Sequence, residues 1–193
     1  MEASENPWKT LSSRAIYENP WIALREDTVI TPAGTPGIYG VVHYKNLALG
    51  VIPIDSEGYT YLVGQYRYPL RQYSWEIPEG GGKLGQDPLS EIQRELLEET
   101  GLIATHWQFL LRMHLSNSVS DEEALIYLAW GLRKGTARPE PTEQLRLWRL
   151  PLFEAIEKVH SGAITDSLTV AGLLRVECLL HRKALTLPPN APT

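Results

Sequence analysis

The segment "RELLEETG" occupies residues 94–101, and its reading decides the fold. It places Glu95, Glu98 and Glu99 at helical spacing, with Glu91 one turn earlier. Asp87 suits an N-cap, Pro88 the first helical position and Gly101 a C-terminal stop, so the pattern predicts a helix over 87–100. At about 100° per residue, Leu89, Ile92, Leu96, Leu97 and Thr100 share one arc and the four glutamates share another. Glu91/Glu95 and Glu95/Glu99 are like-charge pairs at i,i+4, which disfavour an isolated helix. The helix has no lysine, and Arg94 sits at the edge of the acidic arc. Such a face is either a solvated surface or a seat for a divalent cation. Hard cations such as Mg²⁺ and Mn²⁺ take oxygen ligands and keep waters that substrate phosphates can replace.

The preceding stretch, "PEGGGKLGQ" at 78–86, has three consecutive glycines. It reads as a glycine-rich loop, free to adopt left-handed conformations and to approach a ligand closely. Such a loop can turn a carbonyl, that of Glu79 for example, toward a metal. Further out, "WIALREDTVITPAG", "YGVVHYK", "LALGVIPID" and "TYLVGQYR" read as strands, with "SEG" a hairpin turn. "HWQFLLRMHL", "EALIYLAWGL" and "QLRLWRLPL" read as later strands, and 152–160 and 167–182 as helices. Strands outnumber helices and do not alternate regularly with them. The fold class is therefore α+β, a mixed sheet with helices packed on it rather than a doubly wound parallel sheet.

The chain has 193 residues, 43% of them hydrophobic, enough for one domain with a substantial core. Its net charge of −5 carries no electrostatic footprint for nucleic acid or an anionic membrane. The single cysteine, Cys178, rules out an internal disulfide framework and a multi-cysteine zinc site. No apolar run is long enough to span a bilayer, and the N-terminus lacks a signal-peptide pattern. These absences lead to the expectation of a cytoplasmic protein.

Gly80, five residues, Gln86, seven residues and then "RELLEETGL" together resemble the Nudix box. Gln86 stands where that box has its first glutamate, a position that in the family mainly supports the loop and helix. "VGQYRYPL", "SWEIPEGG" and "HLSNSVSDEEALIYLA" resemble the ADP-ribose and nucleotide-sugar pyrophosphatase branch. The likeness implies a Nudix α/β/α sandwich preceded by an N-terminal strand segment. In that arrangement residues 1–45 would form the strand segment and mediate a homodimer, 46–183 would form the hydrolase domain, and 184–193 would be a disordered tail. Two departures bear on the substrate and the base. Asn117 stands where the ADP-ribose enzymes carry proline, and Pro141 stands where the branch places a catalytic glutamate.

The resemblance implies hydrolysis of the pyrophosphate of a nucleoside diphosphate linked to a sugar, with Mg²⁺ or Mn²⁺ as cofactor. It assigns Glu79 (through its carbonyl), Glu95, Glu98, Glu99 and Glu143 to the metal. Glu98 and Glu99 belong to the catalytic set, and the base is sought among Glu143, Glu140, Glu122 and Glu98. Arg67 would grip the phosphates, because a guanidinium can hold a phosphate in a bidentate way. Trp75 and Trp21 could stack a base or serve as packing. Glu76, on the opposite strand face from Trp75, would read a hydroxyl or amine of the substrate. Two alternatives stay open. One is a catalytically weak nucleotide-sugar-binding module. The other is a Nudix enzyme for another diphosphate, such as NADH, capped RNA or a dinucleoside polyphosphate.

Overall fold

The computed structural model describes residues 5–136 and 144–186. Three strands come first: β1 (Lys9–Glu18), β2 (Ile22–Ile30) and β3 (Pro36–Tyr44), forming an antiparallel sheet in the order β1-β2-β3. β1 escaped the sequence reading. Its text, KTLSSRAIYE, has no sustained alternation, and all ten residues are exposed.

The second sheet is the centre of the molecule. It comprises β4 (Asn46–Ile54), β5 (Tyr59–Arg67), β6 (Gln72–Glu76), β7 (Glu79–Lys83), β8 (Leu102–His114), β9 (Glu123–Lys134) and β10 (Arg146–Pro151). The path runs β10-β5-β4-β9-β8, with β6 paired to β5 and β7 to β4. β4 and β9 run parallel and the other pairs antiparallel, so the sheet is mixed as expected.

Alternation along β4 builds two apolar layers, because successive side chains point to opposite faces. Leu49 and Val51 join Ile92 and Leu96 of α1 (Pro88–Thr100) on one face. Ile52 and Ile54 join Ile156 of α2 (Leu152–His160) and Leu168, Leu173 and Val176 of α3 (Ser167–His181) on the other. The result is helix on sheet on helix. Cys178 is half-buried on α3. No helix among the described residues is long and apolar enough to cross a membrane.

β4 also changes partner along its length. Its first half pairs with β7, from Asn46↔Lys83 to Gly50↔Glu79, and its last residue, Ile54, pairs with Thr60 of β5. The sheet divides between β7 and the β5–β6 ribbon, and a cleft opens there.

Candidate active site

The helix read from the sequence forms with the expected caps. Asp87 accepts from the Leu89 and Ser90 amides, and Gly101 ends α1 in the left-handed conformation at φ 68°. Arg94 holds three of the carboxylates: Glu98 at 2.5 Å, Glu95 at 2.6 Å and Glu91 at 3.3 Å. Part of the crowding is therefore offset within the helix. Glu99 departs from the expected outward arc. It is 8% exposed, and its Oε2 accepts the Glu79 amide at 3.1 Å.

Residues 79–83, expected as a loop, form strand β7. Pairing with β4 outweighs the weak strand preference of glycine. None of Gly80, Gly81 and Gly82 has a positive φ. Gly80 instead permits close approach of strand and helix. A Cβ there would fall 2.5 Å from Glu95 Oε1 and 2.7 Å from Glu95 Cγ. Strand β7 and helix α1 thus bring Glu95, Glu99 and the backbone at Glu79 together.

Beside them lies a cleft of about 560 Å³, lined by Trp21, Tyr44, Arg67, Glu76, Glu79, Gly80, Glu122 and Asp166 among others. Its wall carries a group of three acids: carboxylate oxygens of Glu76, Glu79 and Asp166 lie within 4.8 Å of one another. Arg67 is their counter-ion. Its Nε donates to Glu76 at 2.9 and 3.0 Å, and its Nη2 reaches both Glu76 and Glu79 at 2.5 Å. Asp166 caps α3, accepting from the amide and hydroxyl of Thr169, and the Thr169 hydroxyl in turn accepts the Ile77 amide. This chain of bonds ties the start of α3 to the corner between β6 and β7.

Titration in the cleft follows from burial and from the shared guanidinium. Burial, then Asp166 and Glu76, push the Glu79 carboxyl well above its ordinary value, and Arg67 opposes this only in part. One guanidinium divided between two carboxylates does not outweigh desolvation and two like charges. Glu79 Oε2 is buried with no hydrogen-bond partner among the described residues. Burial works against the Arg67 charge, but Glu76 and Glu79 outweigh it and push its pKa up. Across the cleft, burial pushes Glu122 up, with the Tyr44 hydroxyl acting in the other direction.

Comparison with known proteins identifies the family. Residues 8–42 match the nucleoside diphosphate sugar hydrolase N-terminal domain, and residues 45–167 match the NUDIX domain. The chain belongs to the Nudix hydrolase family. One relative is an ADP-ribose pyrophosphatase of Mycobacterium tuberculosis, 33% identical over 91% of this chain and 86% of that protein. Another is a methanol dehydrogenase activator of Bacillus methanolicus, 34% identical over 92% of this chain and 95% of that one. A crystal structure of an ADP compounds hydrolase shares the fold, with a TM-score of 0.83 at 19% identity, covering 95% of this chain and 100% of that one.

Within this Nudix fold the expected site residues separate. Glu76, Glu79, Glu122, Arg67 and Trp21 line the cleft, and Glu95 and Glu99 meet β7 at its edge. Trp75 does not line it. It packs against Trp148 at 5.0 Å and Tyr73 at 5.6 Å on the side of the apolar core. Strand alternation sends its ring to the face opposite Glu76, so of the two roles left open for Trp75 the structure shows packing. Glu98 turns with Arg94 toward a separate groove beside Leu97 and Ile103. Glu140 and Glu143 lie outside the described residues. Asp166 and Tyr44 were missed. An aspartate just ahead of the helix beginning at Ser167 is a recognisable N-cap signal, but nothing local places it in a cleft.

The donor set suits a hard divalent cation. Glu95 and Glu99 offer carboxylate oxygens beside the β7 backbone, and the absent side chain of Gly80 leaves the space that Glu95 fills.

Proposed function

We propose that this Nudix hydrolase cleaves the pyrophosphate of a nucleoside diphosphate linked to a sugar, ADP-ribose or an ADP- or GDP-sugar, giving a nucleoside monophosphate and a sugar phosphate. The observation that carries the reading is the close contact of Glu95 with Gly80 which, with the Glu79 amide bond to Glu99, sets both glutamates against the strand that lines a cleft large enough for such a substrate. The ADP-ribose pyrophosphatases of M. tuberculosis and Bacillus subtilis, the latter 28% identical, support the substrate class.

In this reading Glu95, Glu99 and the Glu79 carbonyl hold Mg²⁺ or Mn²⁺. The cation, when bound, neutralises the phosphate oxygens that otherwise repel a nucleophile. Arg67 turns its remaining Nη1 edge to a phosphate, since its other donors are committed to Glu76 and Glu79. Trp21, 65% exposed at the cleft mouth, offers a ring for a base to stack on. Glu76 and Asp166 accept from sugar hydroxyls. Glu122 takes the proton from the attacking water, and its raised pKa suits a base working nearer neutrality. Residues 1–45 form the strand segment and 46–183 the hydrolase domain. The exposed β1, with Leu11, Ile16 and Tyr17 all more than two-fifths accessible, joins two copies into a homodimer.

The test is a panel of ADP-ribose, ADP-glucose, GDP-mannose, UDP-glucose, NADH and diadenosine polyphosphates, with and without Mg²⁺, beside Glu99→Gln. A sugar-linked diphosphate turned over only with metal, and not by the variant, is the expected result. Equal rates for wild type and variant on every compound would leave a binding module in place of an enzyme.

A further inference from the structure

Glu122 ends a loop that reaches the cleft from the second sheet, yet the loop is held by the first. Within the loop, the Leu115 amide donates to the Glu122 carbonyl at 3.0 Å, and the Ser120 hydroxyl donates to the Leu115 carbonyl at 2.8 Å. The outward contacts go to β3. The Val42 amide donates to the Val119 carbonyl at 2.8 Å, and the Tyr39 hydroxyl donates to the Ser118 carbonyl at 2.6 Å. Asp121 closes the set with both carboxylate oxygens: Oδ1 accepts the Tyr44 amide at 2.9 Å, and Oδ2 meets His43 Nδ1 at 2.6 Å. Tyr44 is the last residue of β3, and its ring lines the same cleft as Glu122.

We propose that Asp121 is a positioning residue for hydrolysis. By gripping the end of β3 at His43 and Tyr44, it sets the Tyr44 hydroxyl against the Glu122 carboxyl, so the N-terminal sheet fixes the aim of the base in its own subunit. The inference rests on the reading of Glu122 as base. A simple tie between loop and strand would need only the backbone bonds at Val42 and Val119. Asp121 adds a second tie one residue from Glu122, and it holds the backbone of Tyr44, which lines the cleft together with Glu122. The hydroxyl and carboxyl act on each other's protonation, each in the direction expected of a donor beside an acid.

The test uses the full chain with Asp121→Ala, Asp121→Asn, Tyr44→Phe and Glu122→Gln, together with Tyr44→Phe in the Glu122→Gln background. Asp121→Ala and Tyr44→Phe should each lower kcat about tenfold, with KM within about twofold, because misaim of a base costs rate rather than binding. Asp121→Asn keeps an acceptor for the Tyr44 amide and should restore most of the rate. Tyr44→Phe should add little once Glu122 is Gln. A ¹³C NMR titration of the Glu122 carboxyl, read without substrate, should move upward in both Tyr44→Phe and Asp121→Ala. Unchanged kcat in Asp121→Ala, or full additivity of Tyr44→Phe with Glu122→Gln, overturns the proposal. If Glu122→Gln keeps wild-type kcat while Glu99→Gln is inactive, the hydrolase reading stands and the proposal falls. If no compound is hydrolysed, the NMR titration still decides whether Asp121 reaches Glu122 through Tyr44.

Discussion

Replacing Gly80 by alanine tests the contact that joins strand to helix. The new Cβ would stand 2.5 Å from Glu95 Oε1 and 2.7 Å from Glu95 Cγ. Carbon contacts relax only near ~3.5–4.0 Å, so the Glu95 side chain or β7 must give by about 1 Å. The Glu95 side chain is 15% exposed and its carboxylate is tied to Arg94 at 2.6 Å, so its displacement is constrained though not blocked. Overpacking typically costs ~1–3 kcal/mol, and alanine in place of glycine returns ~0.4–1 kcal/mol through the unfolded chain. The net loss of stability is then about 0–2.6 kcal/mol. The catalytic loss is larger, because a ~1 Å misplacement of a positioned group costs roughly a hundredfold in rate, about 2.7 kcal/mol of barrier. Gly81→Ala is the control. It lacks a positive φ, and its nearest neighbour would be Asn46 Nδ2 at 3.6 Å, an ordinary contact. Urea melts, kcat and a Mn²⁺ titration on the three proteins separate the effects. If Gly80→Ala matches Gly81→Ala in kcat and in metal affinity, the strand–helix contact does not govern the site.

Arg67→Ala leaves Glu76, 3% exposed, without its guanidinium. Urea denaturation should show a loss of about 3 kcal/mol, the low end for a broken buried pair because Arg67 itself is a third exposed, and Glu76→Gln in the same chain should recover part of it. KM for the diphosphate should rise as well. Thr169→Val removes the acceptor of the buried Ile77 amide and one anchor of Asp166, and the expected cost of ~1–3 kcal/mol is read from the same melts. In the proposed role of base, Glu122 must be ionised, so kcat/KM should fall as pH drops through its pKa. Because burial raises that pKa above 4.5, the acid limb of the pH profile should lie above the ordinary glutamate range and vanish in Glu122→Gln. Calorimetry with a non-hydrolysable nucleotide-sugar analogue should detect binding with Mg²⁺ and little without it, since Arg67, the one arginine lining the cleft among the described residues, is already paired; equal binding in both buffers would contradict the charge argument.

Local chemistry made α1 legible, because its cap, its first-turn proline, its terminal glycine and its apolar arc all act within one segment. The burial of Glu99 was not legible, for a tertiary reason. A helical wheel assigns an arc but does not show that β7 will cover the flank of that arc. The same limit explains the glycines at 80–82, whose meaning as close contacts depends on a helix that comes later in the chain. β1 lacked any pattern because neither of its faces is buried within one chain. Trp75 and Glu76 show the reverse. Strand alternation states in advance that only one can face the cleft, and the topology supplies which. Asp166 lies 87 positions beyond Glu79, and no spacing rule connects them; the connection comes from α3 packing its N-terminus against the β6–β7 corner.

The molecule handles its two acidic groups in different ways. On α1, Arg94 supplies charge to Glu91, Glu95 and Glu98 from the outside, and Glu99 is held from the inside by a backbone amide. In the cleft wall, Arg67 supplies charge to Glu76 and Glu79, and Thr169 holds Asp166. In both places a single guanidinium serves more carboxylates than it can neutralise. The shortfall lies where β7 passes between the two groups, with the Glu79 backbone facing Glu99 and its side chain facing Arg67 and Asp166. A cation held there, as proposed, would gain from both groups at that strand. On the proposed reading, an anionic diphosphate would meet an attractive surface there only once the cation had arrived, which would make binding of metal and substrate one linked event rather than two independent ones.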